Sequence, residues 1–242
     1  KDIQGQLTEM GLWTSSLDSE NGKLLLVEQH SAKADIERLQ EIPEIGKVYS
    51  TKSSHPLVDS QTGKSVAVNE MISVGGDRSP VLMGGPCSVE SEEQIFAAAK
   101  IVADNGGCIL RGGAFKPRTS PYAFNGFGEE ALKWMSKAGK KYGLGIVTEV
   151  MSEYDAEVVC KYADLLQVGS RNMHNFALLK VIGQMSKPVL LKRGMSATIE
   201  EWIMAAEHLL LAGASGVIFC ERGIRSFDNS TRNILDISAV AL

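Results

Sequence analysis

From Ser79 onward the chain alternates short, continuously apolar runs with longer amphipathic stretches. The runs are PVLMGGPC, CILRGG, GIVTEV, LLQVGSR, PVLLKRG and GVIFCERG, and each closes on polar or glycine-rich residues. Between them the spacing of Leu and Ala predicts helices over about 91–106, 128–142, 152–163, 175–186 and 198–213. Strands that are apolar throughout are buried on both faces, which means a parallel sheet covered by helices, an α/β architecture. A unit every 20 to 35 residues or so suits a (β/α)8 TIM barrel, typically eight units in about 250 residues. Residues 79–242 hold about six such units, since the chain reaches DISAVAL within what reads as the sixth helix. The competing arrangement is a doubly wound sheet, which gathers its glycines at one switch point. Here functional-looking residues end every strand, and that favours the barrel.

Residues 1–65 follow a different pattern. DIQGQLTEMGLW has helical periodicity, KLLLVEQ reads as a strand, ADIERLQEI as a short helix and KVYSTK as a second strand. Short elements in that order predict a small α+β module, ferredoxin-like but without its opening strand. His30 and His55 fall in this module, and nothing about them singles out a role. Residues 66–78 alternate well enough for a linker hairpin leading into the barrel.

Composition narrows the function. With 242 residues, 44% of them hydrophobic, and a net charge of −4, the chain is ordinary for a globular protein and argues against general nucleic-acid binding. No apolar run approaches the length of a membrane span and no secretory leader is visible. Cysteines 87, 108, 160 and 220 lack C-x-x-C spacing, which fits a reducing cytoplasm better than a disulfide framework.

Against that acidic background, cations cluster at the strand tips. CILRGGAFKPRTSPY ends a buried run on Arg111, turns through two glycines, and adds Lys116, Arg118 and Thr119. Arg offers a planar fork for carboxylate or phosphate and Lys a mobile point charge. The remaining strand ends carry Cys87, Glu149, Arg171, Lys192 with Arg193, and Glu221 with Arg222. In βα barrels chemistry sits on this face. At least six cations converging on one mouth predict a ligand with several negative charges, such as a phosphate plus a carboxylate. Cys87 alone reads as a buried small hydrophobe, a nucleophile or a metal ligand. No strand-end histidine supplies a base for a Cys–His pair, although His174 lies near the mouth. His208 reads as helix packing, and the DNSTRN segment as a loop that covers the mouth.

GGPCSVES, LRGGAFKPRTSPY, LLQVGSRN, PVLLKRG and CERGIRSF, in that order, resemble the 3-deoxy-D-arabino-heptulosonate 7-phosphate (DAHP) synthases of type Iβ from about residue 66 onward. The first 60 or so residues resemble more loosely the regulatory domain that precedes the barrel in some members. The resemblance implies a condensation of phosphoenolpyruvate with erythrose 4-phosphate, releasing phosphate, at the head of the shikimate pathway. By motif, Arg111, Lys116, Arg171, Lys192 and Arg222 would hold phosphoenolpyruvate, with backbone donors at Gly169 and Ser170, where the family usually has Ala in place of Ser170. Arg118 and Thr119 would take the sugar phosphate, Lys116 and Glu149 would be catalytic, and Glu149 would help to position the attacking water. Cys87 would be one ligand of a divalent metal ion, Mn2+ or similar. The resemblance also implies further ligands (a His, a Glu and an Asp) in two βα units that these residues do not include. By itself a protein ending at Leu242 is therefore expected to be inactive with added manganese. An aromatic amino acid effector and a homotetramer are implied as well. Two rivals stand beside this reading: the sister synthase that makes 3-deoxy-D-manno-octulosonate 8-phosphate, and a non-catalytic truncated barrel that binds a partner.

Overall fold

A computed structural model describes residues 3–19, 22–28, 31–49, 53–116, 120, 122–228 and 230–241. His30, Arg118 and Thr119 lie outside the described residues. The chain divides into two compact units, Lys1–Pro56 and Leu57–Leu242.

The first unit runs α1 (Ile3–Glu9), β1 (Thr14–Ser19), β2 (Gly22–Val27) and α2 (Ile36–Gln40). The two strands are antiparallel, with Thr14 opposite Val27 and Ser19 opposite Gly22. Leu7, Leu12 and Leu39 are its buried centre, with Leu25, Ile42 and Val48 against them. The order is helix–strand–strand–helix, not the expected helix–strand–helix–strand. TSSLDS has a single apolar residue and becomes a strand because its backbone pairs with Gly22–Val27. Residues 45–49, at the start of the expected KVYSTK strand, belong to no sheet among the described residues.

The second unit opens with a turn of helix, α3 (Pro56–Asp59), and a hairpin of β3 (Ser65–Ala67) and β4 (Ser73–Gly75). Residues 57–65, read from the sequence as the end of the first module, are tied into this unit. The buried Glu207 carboxylate accepts from the amides of Leu57 and Val58, and Gln61 Oε1 from the amide of Val217.

The βα units follow in strict alternation: β5 (Met83–Gly84), α4 (Glu92–Asp104), β6 (Ile109–Arg111), α5 (Glu129–Tyr142), β7 (Gly145–Glu149) and α6 (Ala156–Tyr162). Then come β8 (Leu165–Val168), α7 (Phe176–Gln184), β9 (Pro188–Lys192), α8 (Ile199–Ala212), β10 (Gly216–Cys220) and a last turn, α9 (Ser238–Ala241). Three of these helices start where side chains satisfy their free amides. Ser91 caps α4 through Gln94 N, Asn175 caps α7 through Leu178 N, and Thr198 with Glu201 forms a reciprocal capping box on α8.

All six barrel strands are parallel and stand in sequence order, β5 through β10, and the two edge strands do not pair with each other. The result is a curled half-barrel of the TIM type, as the pattern of apolar runs predicts. Its strands send alternate residues to opposite sides. Leu110, Ile146, Leu166, Val189 and Leu191 pack outward on helix residues such as Ile95, Met135, Leu178 and Trp202. Ile109, Val147, Leu165 and Leu190 face inward and meet Val68 and Ile72 of the hairpin segment. The hairpin thus floors the half-barrel at the end opposite the strand tips. Replacing Ile72 by Ala should destabilise the unit by about 2–4 kcal/mol, mostly the cavity term. Urea unfolding followed by tryptophan fluorescence checks it.

Candidate active site

The alternation that buries the inner residues also places the polar ones. Two positions beyond Ile109, Val147, Leu165, Leu190 and Ile218 on the same strand face stand Arg111, Glu149, Gln167, Lys192 and Cys220. Five strands therefore set one ring of side chains directly above the apolar floor.

On the β7 to β10 side the ring opens into a cleft of about 460 Å3 of empty space, lined by Glu149, Gly169, Ser170, Arg171, Lys192, Met195, Arg222 and Arg232. Glu149 is its one anion. Burial pushes the Glu149 carboxyl up from the ordinary carboxylate range, against the pull of Lys192, Lys116, Arg111 and Arg171. Those four cations come from three different strand ends and act on one carboxylate, so they do converge. Gly169 and Ser170 open a single 3-10 turn that carries Arg171.

On the β5 to β6 side, Arg111 Nη1 donates to the carbonyl of Pro86 at 3.0 Å, and Lys116 Nζ to the carbonyl of Cys87 at 2.6 Å and its Sγ at 3.1 Å. Gly85 permits this approach: its φ is +143°, and a Cβ there would overlap the Arg111 carbonyl. Cys87 is exposed. The Lys116 hydrogen bond draws its thiol below the ordinary range, opposed by burial and assisted by the charges of Lys116 and Arg111.

Four expectations change. Arg193 does not face the mouth. It is 5% exposed, its Nη1 bonded to Glu221 Oε2 at 3.0 Å and Asp236 Oδ2 at 2.7 Å, its Nε to the carbonyl of Ala197. Glu221 likewise leaves the ring: its Oε1 accepts from the amides of Arg222 and Gly223, fixing the turn that presents Arg222. His174 is exposed, with its ring 6.5 Å from that of Phe176, and does not line the cleft. His208, expected to be packed, is exposed too, its ring tilted against that of Phe176 at 4.6 Å.

Arg232 and Gln167 carried no sequence expectation, nor did Met195 in the cleft lining. Arg232 reaches the cleft from the DNSTRN loop, which an Ile224–Ile234 bridge and the Asp236–Arg193 pair tie down. Gln167 is a neutral residue in the same strand register as Glu149, and that register is the signal that finds it.

Residues 58–242 match the model of the DAHP synthetase I family. The chain belongs to that family. It is 50% identical over 161 residues to the phospho-2-dehydro-3-deoxyheptonate aldolase of Thermotoga maritima, covering 66% of this chain and 48% of the relative. The crystal structure of a Thermotoga maritima DAHP synthase superposes with a TM-score of 0.74 at 35% identity, over 99% of this chain and 71% of that one. The 2-dehydro-3-deoxyphosphooctonate aldolase 1 of Arabidopsis thaliana is more distant, 34% identical over 149 residues, which are 59% of this chain and 51% of it. The chain thus spans about half the length of these curated relatives.

DAHP synthetase I enzymes are generally metal-dependent. Of the described residues, Cys87 offers one thiolate, already in contact with the Lys116 ammonium, and no group of three or more His, Cys, Asp or Glu is placed to hold a cation. The described residues do not by themselves fit a metal ion. What they do fit in this family is a clip around the cleft. Glu221→Gln should leave Arg193 buried with one anion and cost about 3 kcal/mol of stability. It should also loosen the turn carrying Arg222. Denaturant unfolding and calorimetry with inorganic phosphate measure the two effects separately.

Proposed function

We propose that the protein condenses phosphoenolpyruvate with erythrose 4-phosphate to DAHP and inorganic phosphate, the step that opens aromatic amino acid biosynthesis. The observation that carries this is the cleft itself: one half-buried carboxylate, Glu149, among cations from separate strand tips. Two polyanions can be brought within bonding distance only where their charge is neutralised and their approach fixed.

In this reading Arg171, Lys192 and Arg222, with the amides of Gly169 and Ser170, hold the phosphate and carboxylate of phosphoenolpyruvate, and Arg111 and Lys116 complete the cradle. Arg232 closes it from the DNSTRN loop. Arg118 and Thr119 take the sugar phosphate on the strength of the motif alone. Water adds to C2 of the enol phosphate while Glu149 accepts its proton. C3 bonds to the aldehyde carbon, and Lys116 supplies the proton to the aldehyde oxygen. The tetrahedral C2 then expels phosphate by breaking its C–O bond and becomes the keto group of the product. Metal dependence is read from the family, with Cys87 as one ligand and the metal's identity, Mn2+ or another, left to measurement. The first unit is read as a ferredoxin-like regulatory module for an aromatic amino acid, the assembly as a homotetramer and the setting as cytoplasmic. Thermal shifts with tyrosine and phenylalanine, and light scattering, test the first two.

The octulosonate reading is weaker, because relatives of that name are 27–34% identical against 50% for the heptonate enzyme. Phosphate release by the full-length protein with manganese, phosphoenolpyruvate and either erythrose 4-phosphate or arabinose 5-phosphate decides between them, and the four-carbon sugar should be strongly preferred. Glu149→Gln should lower kcat by about 100-fold or more. It should leave the phosphoenolpyruvate KM within about threefold, because uniform binding is retained. Glu149 must be ionised to accept a proton, and its burial raises the pH at which it protonates. Activity should therefore fail, on acidification, at a higher pH than an ordinary carboxylate would set, and a pH profile of kcat reads this directly.

A further inference from the structure

We infer that Gln167 is the positioning residue for Glu149, its side-chain amide holding the carboxylate in the orientation from which it handles water. The inference rests on the reading of Glu149 given above. Three observations carry it. Glu149 and Gln167 are directly opposed across β7 and β8, so both project into the half-barrel at the same level. Gln167 is 2% exposed, and its Nε2 donates to Glu149 Oε2 at 3.0 Å. The other carboxylate oxygen, Oε1, lies over Gly169, where any Cβ would overlap it. One oxygen is thus held by an amide and the other is seated where the chain carries no side chain.

The residue type suits the task. The other strand-borne groups facing Glu149 are charged: Arg111 from β6, Lys192 from β9, with Lys116 and Arg171 from the loops beyond. Arg222 and Arg232 stand across the cleft. A cation at position 167 would pair with the carboxylate and reduce its basicity. A leucine would leave a buried oxygen without a donor. A neutral amide supplies the bond and leaves the base intact.

Gln167→Met keeps the length and removes the donor. It should lower kcat about ten- to 100-fold, as expected for a lost hydrogen bond to a charged group, and leave the phosphoenolpyruvate KM within about threefold. The acid limb of the kcat profile should move up by about one pH unit. In a Glu149→Gln background the same substitution should have no further effect, because the pair acts as a unit. An unmoved acid limb, or effects that multiply in the double variant, overturns the inference. If Gln167→Met fails to fold, Gln167→Glu has the same shape and should split the acid limb into two coupled steps; a single unchanged step overturns it as well. A full-length wild-type protein that turned over neither sugar would instead overturn the proposed function. The pair would then be read by infrared titration of the Glu149 carboxyl, which Gln167→Met must shift to higher pH if Gln167 holds it.

Discussion

Like charges resist being gathered at one spot, and every feature of the mouth reflects how that repulsion is managed. Arg111, Lys116, Arg171 and Lys192 share a single carboxylate. They can do so because each is fixed at its base by a strand end or a tight turn and cannot swing away. Arg193, next in sequence to Lys192, is removed from the group by pairing with Glu221 and Asp236. That pairing serves a second purpose. It joins the ends of β9 and β10 to the return of the DNSTRN loop, so the same buried ions that lower the charge of the mouth also place Arg222 and Arg232 beside it.

The mouth has two sides with different characters. The β7 to β10 side is a cleft lined by cations around one elevated carboxyl, suited to an anion that must be held and then attacked by water. On the β5 to β6 side, Lys116 and Arg111 are occupied with the carbonyls of Cys87 and Pro86. Glu149 feels charges from both, which makes it the meeting point of the two halves.

The barrel strands and their helices were legible because the apolar runs are continuous and the Leu and Ala between them recur at helical spacing. Other features were not, for physical reasons. TSSLDS is polar throughout except Leu17, and only its pairing partner makes it a strand. Lys192 and Arg193 look equivalent in PVLLKRG, yet alternation from Leu190 sends one to the mouth and the other outward to its acids. Gln167 carries no charge and so offered no chemical flag, although counting by twos from Leu165 locates it. Arg232 sits ten residues beyond Arg222 on a loop, where no periodicity applies. Arg118 and Thr119, both legible as anion ligands by type, fall outside the described residues.

The floor formed by Val68 and Ile72 has a bearing on how such a protein can evolve. The strands from β6 to β10 give their lower residues to cohesion and their upper ones to the rim, and of the ring only Cys220 also packs on the base. Substitutions that harden the base against heat, or let it drift neutrally, therefore leave the reactive rim untouched. A lineage could travel between hot and temperate habitats by repacking the bottom of the cup while its chemistry stayed constant.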